Sequence, residues 1–170
     1  MRAKELCYIA VIGALEFIVF TSFSFVLYLE CITLTVLLFS MCFETKQAVM
    51  GAFVFGIINL SVQGVTPWSM MYVLVYPIYS LLIGSMKGYL SKHFLLMVVL
   101  CGFLSFLTGQ ILQLPFMLFS KTITIVYLIM GLKTSLIQGI ISAISCFICF
   151  KPIYFVLRKI EGSLQYEKNY

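Results

Sequence analysis

One apolar stretch indicates the class of this protein most directly: Trp68-Ser-Met-Met-Tyr-Val-Leu-Val-Tyr-Pro-Ile-Tyr-Ser-Leu-Leu-Ile-Gly84. It contains no charged side chain, and its large aromatic residues follow one another at steps of four, four and three positions: Trp68, Tyr72, Tyr76 and Tyr79. At that spacing the four rings share one face of a helix. We therefore predict an apolar helix that carries a column of aromatic side chains with polar groups.

The composition of the whole chain places it in a membrane. Of its 170 residues, 62% are hydrophobic and 10% are charged, and the mean hydropathy is +1.11. A soluble domain carries about 25% charged residues. Since surface outruns volume in small domains, a chain of this length cannot bury so many apolar side chains in water. The expected solvent is a lipid bilayer, so the net charge of +5 is no indication of nucleic-acid binding.

The expected fold class is an all-α integral membrane protein, a compact single-domain bundle of six transmembrane helices. A membrane-spanning helix needs roughly 20 mainly apolar residues. The first apolar run follows basic residues but precedes no soluble domain, so we interpret it as a retained helix rather than a signal peptide. Residues 119–131 are predicted to form a loop with a short packed helix. The six predicted spans are about 5–26, 30–44, 46–63, 67–90, 93–118 and 133–157.

The distribution of basic residues predicts that both termini lie in the cytoplasm. With six spans in that orientation, two lysines fall outside, Lys121 and Lys133. The other nine basic residues fall on the cytoplasmic side: Arg2, Lys4, Lys46, Lys87, Lys92, Lys151, Arg158, Lys159 and Lys168. An excess of Lys and Arg in cytoplasmic loops is the usual signature of orientation.

The residue inventory argues against catalysis. The chain contains no aspartate, a single histidine (His93) and no G-x-x-x-x-G-K-[ST] phosphate-binding motif, so it neither builds a hydrolase triad nor hydrolyses ATP by itself. Cys146 and Cys149 form an isolated C-x-x-C without a nearby histidine. The six cysteines are interpreted as small packing residues, and neither a metal nor a cofactor is predicted.

Polar side chains inside the predicted spans are the candidate binding residues, because such residues are expensive in lipid. They concentrate toward the outer half, where Glu30 also lies at the end of the second predicted helix. One interpretation is that the amides and hydroxyls join helices and that the aromatic residues form an interfacial belt. The other is a pocket with a stacking wall for a flat organic ligand. The candidates are Glu16, Asn59, Gln63, Trp68, Tyr72, Tyr76, Tyr79, Gln110, Gln113, Lys133 and Gln138.

The first helix is predicted to have two different faces. Glu16 lies deep in it, where a carboxylate costs roughly 3 kcal/mol, so this side chain should face inward. Ala14 is turned by about 200° from Glu16 at 100° per residue, and Ala10 lies one turn before it. Two alanines four positions apart allow another helix to approach closely, either from a partner protein or from within the monomer.

These features together resemble the substrate-binding S components of energy-coupling factor (ECF) vitamin transporters. The resemblance covers nearly the whole chain. It rests on the six-helix layout of about 170 residues and on three segments: Ala10-Val-Ile-Gly-Ala14, Gly51-Ala-Phe-Val-Phe-Gly56 and Gly131-Leu-Lys-Thr-Ser-Leu-Ile-Gln-Gly139.

The resemblance implies a multi-pass protein of the bacterial cell membrane that binds a vitamin from outside. It also implies docking through Ala10 and Ala14 on a transmembrane scaffold subunit with two cytoplasmic ATPases. The vitamin stays open among riboflavin, thiamine, biotin, folate, pantothenate, pyridoxine and cobalamin. The aromatic column, the three glutamines and the few charges favour a largely neutral, flat heterocycle, such as a pyridoxine-like or other small heteroaromatic compound. The alternatives are an autonomous channel or secondary carrier, an intramembrane enzyme and a structural membrane subunit.

Overall fold

All regular secondary structure in the described part of the chain is helical. A computed structural model describes residues 3–26 and 28–166, with side chains up to residue 160; Arg2 and Lys168 of the predicted cytoplasmic set lie outside these ranges. The elements in order are α1 Ala3–Phe23, α2 Ile32–Cys42, α3 Thr45–Gln63, α4 Pro67–Ser85, α5 Lys87–Leu90, α6 Phe94–Ile111, a 3₁₀ helix η1 Leu114–Leu118, and α7 Lys121–Tyr166.

Five segments within the described residues are long and apolar enough to cross a membrane: Ala3–Phe23, Thr45–Gln63, Pro67–Ser85, Phe94–Leu118 and Lys121–Ile160. α2 is also apolar but has only 11 residues. Large apolar side chains are exposed along these helices, such as Leu95 (70%) and Ile129 (68%). An exposed apolar surface of this extent is compatible with lipid and not with water. The chain is therefore an all-α, membrane-embedded protein.

Two predicted boundaries are wrong. Residues 121–131 are not a loop: they form the first turns of α7, which runs unbroken from Lys121. Ser120 explains this start, because its hydroxyl accepts a hydrogen bond from the Ile123 backbone N–H (3.5 Å), as an N-cap residue does. The predicted span 67–90 is interrupted, since α4 ends at Ser85 and the four-residue α5 follows.

Most of the remaining boundaries differ from prediction by a few residues, but α7 continues to Tyr166, nine residues beyond the predicted end at position 157. α1 ends at Phe23 rather than at position 26, and α2 occupies Ile32–Cys42 within the predicted 30–44. The predicted span 93–118 divides into α6 and η1, and Pro115 lies at the start of that 3₁₀ helix. A proline without an N–H donor is tolerated there, as in the first turn of any helix.

α3 and α4 run in opposite directions. Gly56 of α3 contacts Val73 of α4, and Gly84 near the end of α4 lies beside Thr45 at the start of α3. α1 and α3 run parallel, because Gly13 lies beside Val54 and the Phe20 ring contacts the Phe55 ring. The chain therefore returns between α1 and α3 along α2, and ten of the 11 residues of α2 are buried. The shortest of the main helices thus lies at the centre of the bundle.

α6 and α7 approach each other through glycine. A Cβ atom added to Gly102 would lie 2.8 Å from the Gly139 carbonyl oxygen, and one added to Gly139 would lie 2.8 Å from the Gly102 carbonyl oxygen. Both distances are shorter than a van der Waals contact, so each position requires glycine. In lipid, where apolar burial does not drive helices together, close backbone packing of this kind is a main source of association.

We expect Gly139→Ala to lower the free energy of unfolding by about 1–3 kcal/mol, because the added methyl group overpacks the α6–α7 contact. The measurement is denaturant unfolding of the protein in detergent micelles. Gly88→Ala is the matched control, since a Cβ atom there has no neighbour within 4 Å. Equal stability of the two variants would contradict the close approach of α6 and α7.

Candidate functional site

A cavity of about 310 Å³, the candidate site of this protein, opens at the end of the bundle where α1 leads into α2. The connection between these helices lines it with residues 24, 26 and 28–31, and Phe20 and Phe23 line it from α1. The wall is completed by Tyr72 and Tyr76 of α4, by Thr108 of α6, and by Thr134 and Gln138 of α7. Ligand sites commonly measure about 300–1,000 Å³, so this cavity suits a small molecule.

Glu30 is the polar centre of the cavity wall. Its Oε1 atom accepts hydrogen bonds from the hydroxyls of Thr33 (2.9 Å) and Tyr76 (3.0 Å), and its Oε2 atom accepts one from the Ser105 hydroxyl. The three donors belong to α2, α4 and α6. A carboxylate at this position therefore joins three helices while it lines the cavity.

An aromatic wall stands next to this carboxylate. The Tyr72 and Tyr76 rings stack with centroids 5.5 Å apart and planes 12° apart. Phe20 packs edge-on against Tyr72 at 5.3 Å, and Phe55 packs edge-on against Tyr76 at 5.5 Å. These contacts hold the rings in fixed positions, which favours stacking of a flat ligand on the side that faces the cavity.

Two members of the predicted aromatic column do not line the cavity. Trp68 packs against Phe116 of η1 with ring centroids 5.1 Å apart, and Phe116 in turn contacts Tyr127 of α7 at 5.2 Å. Trp68 is 42% exposed and ties the 3₁₀ helix to the bundle. Tyr79 is buried below the cavity, where its hydroxyl accepts a bond from Thr108 (3.4 Å). The column therefore divides into a cavity pair, Tyr72 and Tyr76, and two packing residues.

The predicted glutamines meet between α6 and α7, and only Gln138 lines the cavity. Gln110 donates a hydrogen bond from Nε2 to the Ser135 hydroxyl (2.8 Å). The Gln113 amide lies beside Gly131, 3.6 Å from where a Cβ atom would stand. For Gln110 the structure thus agrees with the interpretation that amides join helices.

The remaining predicted binding residues lie elsewhere. Gln63 and Lys133 are exposed and do not line the cavity. Asn59 is completely buried, and neither of its amide atoms has a hydrogen-bond partner within the described residues. Glu16 is 1% exposed and faces inward as predicted, with its Oε2 atom equally unpartnered in the described part of the chain.

The two faces of α1 are those predicted from the spacing. Ala10 and Ala14 are exposed, whereas Glu16 is buried. The exposed side continues through Val11 (50%) and Ile18 (57%). Within the described part of the chain the alanines are thus not buried between helices, which argues against the alternative interpretation that they are internal contacts.

Glu30 is not among the predicted binding residues, although it lies at the outer end of the second predicted helix. The sequence favours Glu16 instead, because that residue lies deep in an apolar helix. The missed signal is the set of hydroxyl residues Thr33, Tyr76 and Ser105, which are distant in sequence and meet only in the fold. Next to Glu30, Tyr28 adopts a left-handed backbone conformation (φ 64°), which is unusual for a bulky residue and more frequent at binding sites.

No protein-family model, no curated protein and no solved structure matches this chain. The cavity itself therefore carries the functional inference. It offers a carboxylate, hydroxyl and amide groups and an aromatic face in one small space, and groups of three or more metal-ligating side chains do not occur among the described residues. Such a lining is equipped to bind an organic molecule by stacking and hydrogen bonding.

Proposed function

We propose that this chain is a membrane-embedded binding subunit for a small, flat micronutrient, of the kind found as the S component of ECF-type importers. The observation that carries the proposal is the cavity, in which a fixed aromatic wall and a hydrogen-bonding carboxylate face the same space. Its volume of about 310 Å³ favours a single-ring compound over a large vitamin such as cobalamin.

The proposal includes six membrane crossings with both termini in the cytoplasm of a bacterial cell. The parallel course of α1 and α3 supports it, because the intervening α2 must then return the chain across the membrane. α7 has 46 residues, about 69 Å at 1.5 Å per residue, against a hydrocarbon core of about 30 Å. The cavity opens outward in this orientation, and the first turns of α7, from Lys121, stand beyond the membrane.

Transport requires a partner that supplies energy, and the proposed partner is a transmembrane scaffold subunit with two cytoplasmic ATPases. The exposed alanines of α1 support docking there, since Ala10 and Ala14 let a foreign helix approach the α1 backbone. α1 contributes to both surfaces. Phe20 and Phe23 line the cavity, and the exposed alanines lie about two turns earlier in the same helix.

We expect the protein purified in mild detergent to carry a small aromatic molecule that native mass spectrometry detects. Tyr72→Ala should weaken its binding about ten- to a hundredfold, the usual loss when a stacking ring is removed. Trp68→Ala is the matched control, because Trp68 does not line the cavity. Equal loss in both variants, or no bound molecule in the parent protein, would contradict binding at the cavity.

The orientation predicts opposite accessibilities for two exposed lysines, Lys121 and Lys92. In whole cells, a membrane-impermeant maleimide should label Lys121→Cys but not Lys92→Cys, and permeabilised cells should show both. The parent chain gives the background from its native cysteines, of which Cys7 is exposed. The reverse pattern would overturn the orientation and the direction of transport.

Filling the alanine face should separate docking from binding. We expect Ala14→Trp to abolish uptake and copurification with a scaffold subunit, because the indole holds a partner helix away from the α1 backbone. Ligand affinity of the isolated variant should remain that of the parent, since Ala14 points away from the cavity. Ile144→Trp, at an exposed site on α7 (54%), is the control for an added indole. An Ala14→Trp protein that still supports uptake would refute docking at this face.

A further inference from the structure

The Glu30 carboxylate faces the cavity and has no basic partner among the described residues. Its three hydrogen-bond donors are the neutral hydroxyls of Thr33, Tyr76 and Ser105. Among the described residues, no Lys or Arg forms an ion pair with it, and the cavity lining contains no Lys, Arg or His. An ionised carboxylate in such surroundings is strongly disfavoured: it either takes up a proton or is compensated by an opposite charge or by further hydrogen bonds.

The three hydroxyl groups do not satisfy every hydrogen-bond acceptor of the Glu30 carboxylate. An ionised carboxylate offers about four acceptor sites, and the three donors use two on Oε1 and one on Oε2. The remaining acceptor belongs to Oε2. Since Glu30 lines the cavity, a ligand can supply the missing donor there.

The aromatic wall favours the same kind of ligand. The faces of tyrosine and phenylalanine rings attract cations within about 6 Å, and they do so more strongly in a desolvated site. Tyr72, Tyr76 and Phe20 line the cavity beside Glu30. An anionic ligand would meet both the carboxylate and the ring faces unfavourably, with no basic side chain in the lining to offset them.

We propose that the cavity selects a small cation: a protonated amine, or a protonated or quaternised nitrogen heterocycle, with its positive charge at Glu30 and its flat face on Tyr72. The proposal rests on the proposed function and narrows its ligand from any flat micronutrient to a cationic one. Glu16, an acid that is buried, lines no part of this cavity and serves as an internal comparison.

The test uses series of ring compounds that differ in one substituent, which is positively charged, neutral or negatively charged. Pyridoxamine, pyridoxine and 4-pyridoxic acid carry an aminomethyl, a hydroxymethyl and a carboxylate group at the same position, and benzylamine, benzyl alcohol and benzoate form a second such series. Binding to the full chain in lipid nanodiscs is measured by titration calorimetry. In at least one series we expect the amine to bind about tenfold or more tighter than the alcohol, and the acid not to bind.

Substitution of Glu30 identifies the group responsible. Glu30→Gln should reduce the affinity for the amine about ten- to a hundredfold, leave that for the alcohol nearly unchanged and so abolish the preference. Glu30→Asp should keep the preference, and Glu16→Gln should bind as the parent does. Circular dichroism and gel filtration report whether each variant folds. If Glu30→Gln does not fold, the proposal is decided by whether the parent protein binds the amine more tightly than the alcohol in either series.

The outcomes distinguish this inference from the function it rests on. An alcohol that binds as tightly as its amine, or an amine preference that survives in folded Glu30→Gln, overturns selection of a cation by Glu30 while binding at the cavity stands. A neutral or acidic molecule that copurifies with the protein would also overturn selection of a cation, while binding at the cavity stands. If no amine binds and no small molecule copurifies, both the cation site and the proposed binding function fail.

Discussion

The hydrogen bonds to Glu30 are the constraint on which the cavity end of this bundle depends. In lipid an apolar side chain gains little by facing a neighbouring helix rather than an acyl chain, so polar contacts and close backbone packing must specify the arrangement. Glu30 collects Thr33 from α2, Tyr76 from α4 and Ser105 from α6 on one carboxyl group. The relative positions of three helices are therefore fixed at the wall of the cavity.

The same contacts prepare the aromatic wall. Because the Tyr76 hydroxyl is held by Glu30, its ring is fixed, and Tyr72 stacks on it at 5.5 Å. Phe55 packs edge-on against Tyr76 at 5.5 Å and also contacts Tyr72, with ring centroids 6.5 Å apart. One helical turn deeper, a bond between the Ser40 and Ser80 hydroxyls (2.9 Å) joins α2 to α4 again. A ligand entering the cavity thus meets side chains that are already ordered, and less conformational entropy is lost on binding.

Composition and periodicity are sufficient to predict an all-helical membrane protein, the approximate positions of its helices and the two faces of α1. They fail where tertiary contacts decide. The start of α7 at Lys121 depends on the Ser120 cap and on packing of η1 through Phe116, neither of which alters the apolar pattern. Helical spacing groups Trp68 with Tyr72 and Tyr76, but Trp68 lies one turn beyond the cavity and contacts Phe116 instead. Glu16 and Glu30 show the same limit at the cavity. Depth within an apolar helix singles out Glu16, yet its carboxylate does not line the cavity. Glu30 stands near a helix end, where an acid is common in sequence, and only the fold brings its three hydroxyl donors to it.

The geometry of α1 relates ligand binding to docking under the proposed function. Phe20 and Phe23 line the cavity, and Phe20 contacts Tyr72, while Ala14 is exposed six residues earlier, about 9 Å along the same helix. A ligand that packs against the Phe20 ring therefore acts on the segment whose lower part carries the docking face. A partner can distinguish the loaded from the empty protein only if the two states differ in binding free energy at that face. α1 also packs closely on α3 through Gly13 and Val54, between the cavity end of the helix and Ala10, so α3 is in contact with the segment that joins the two.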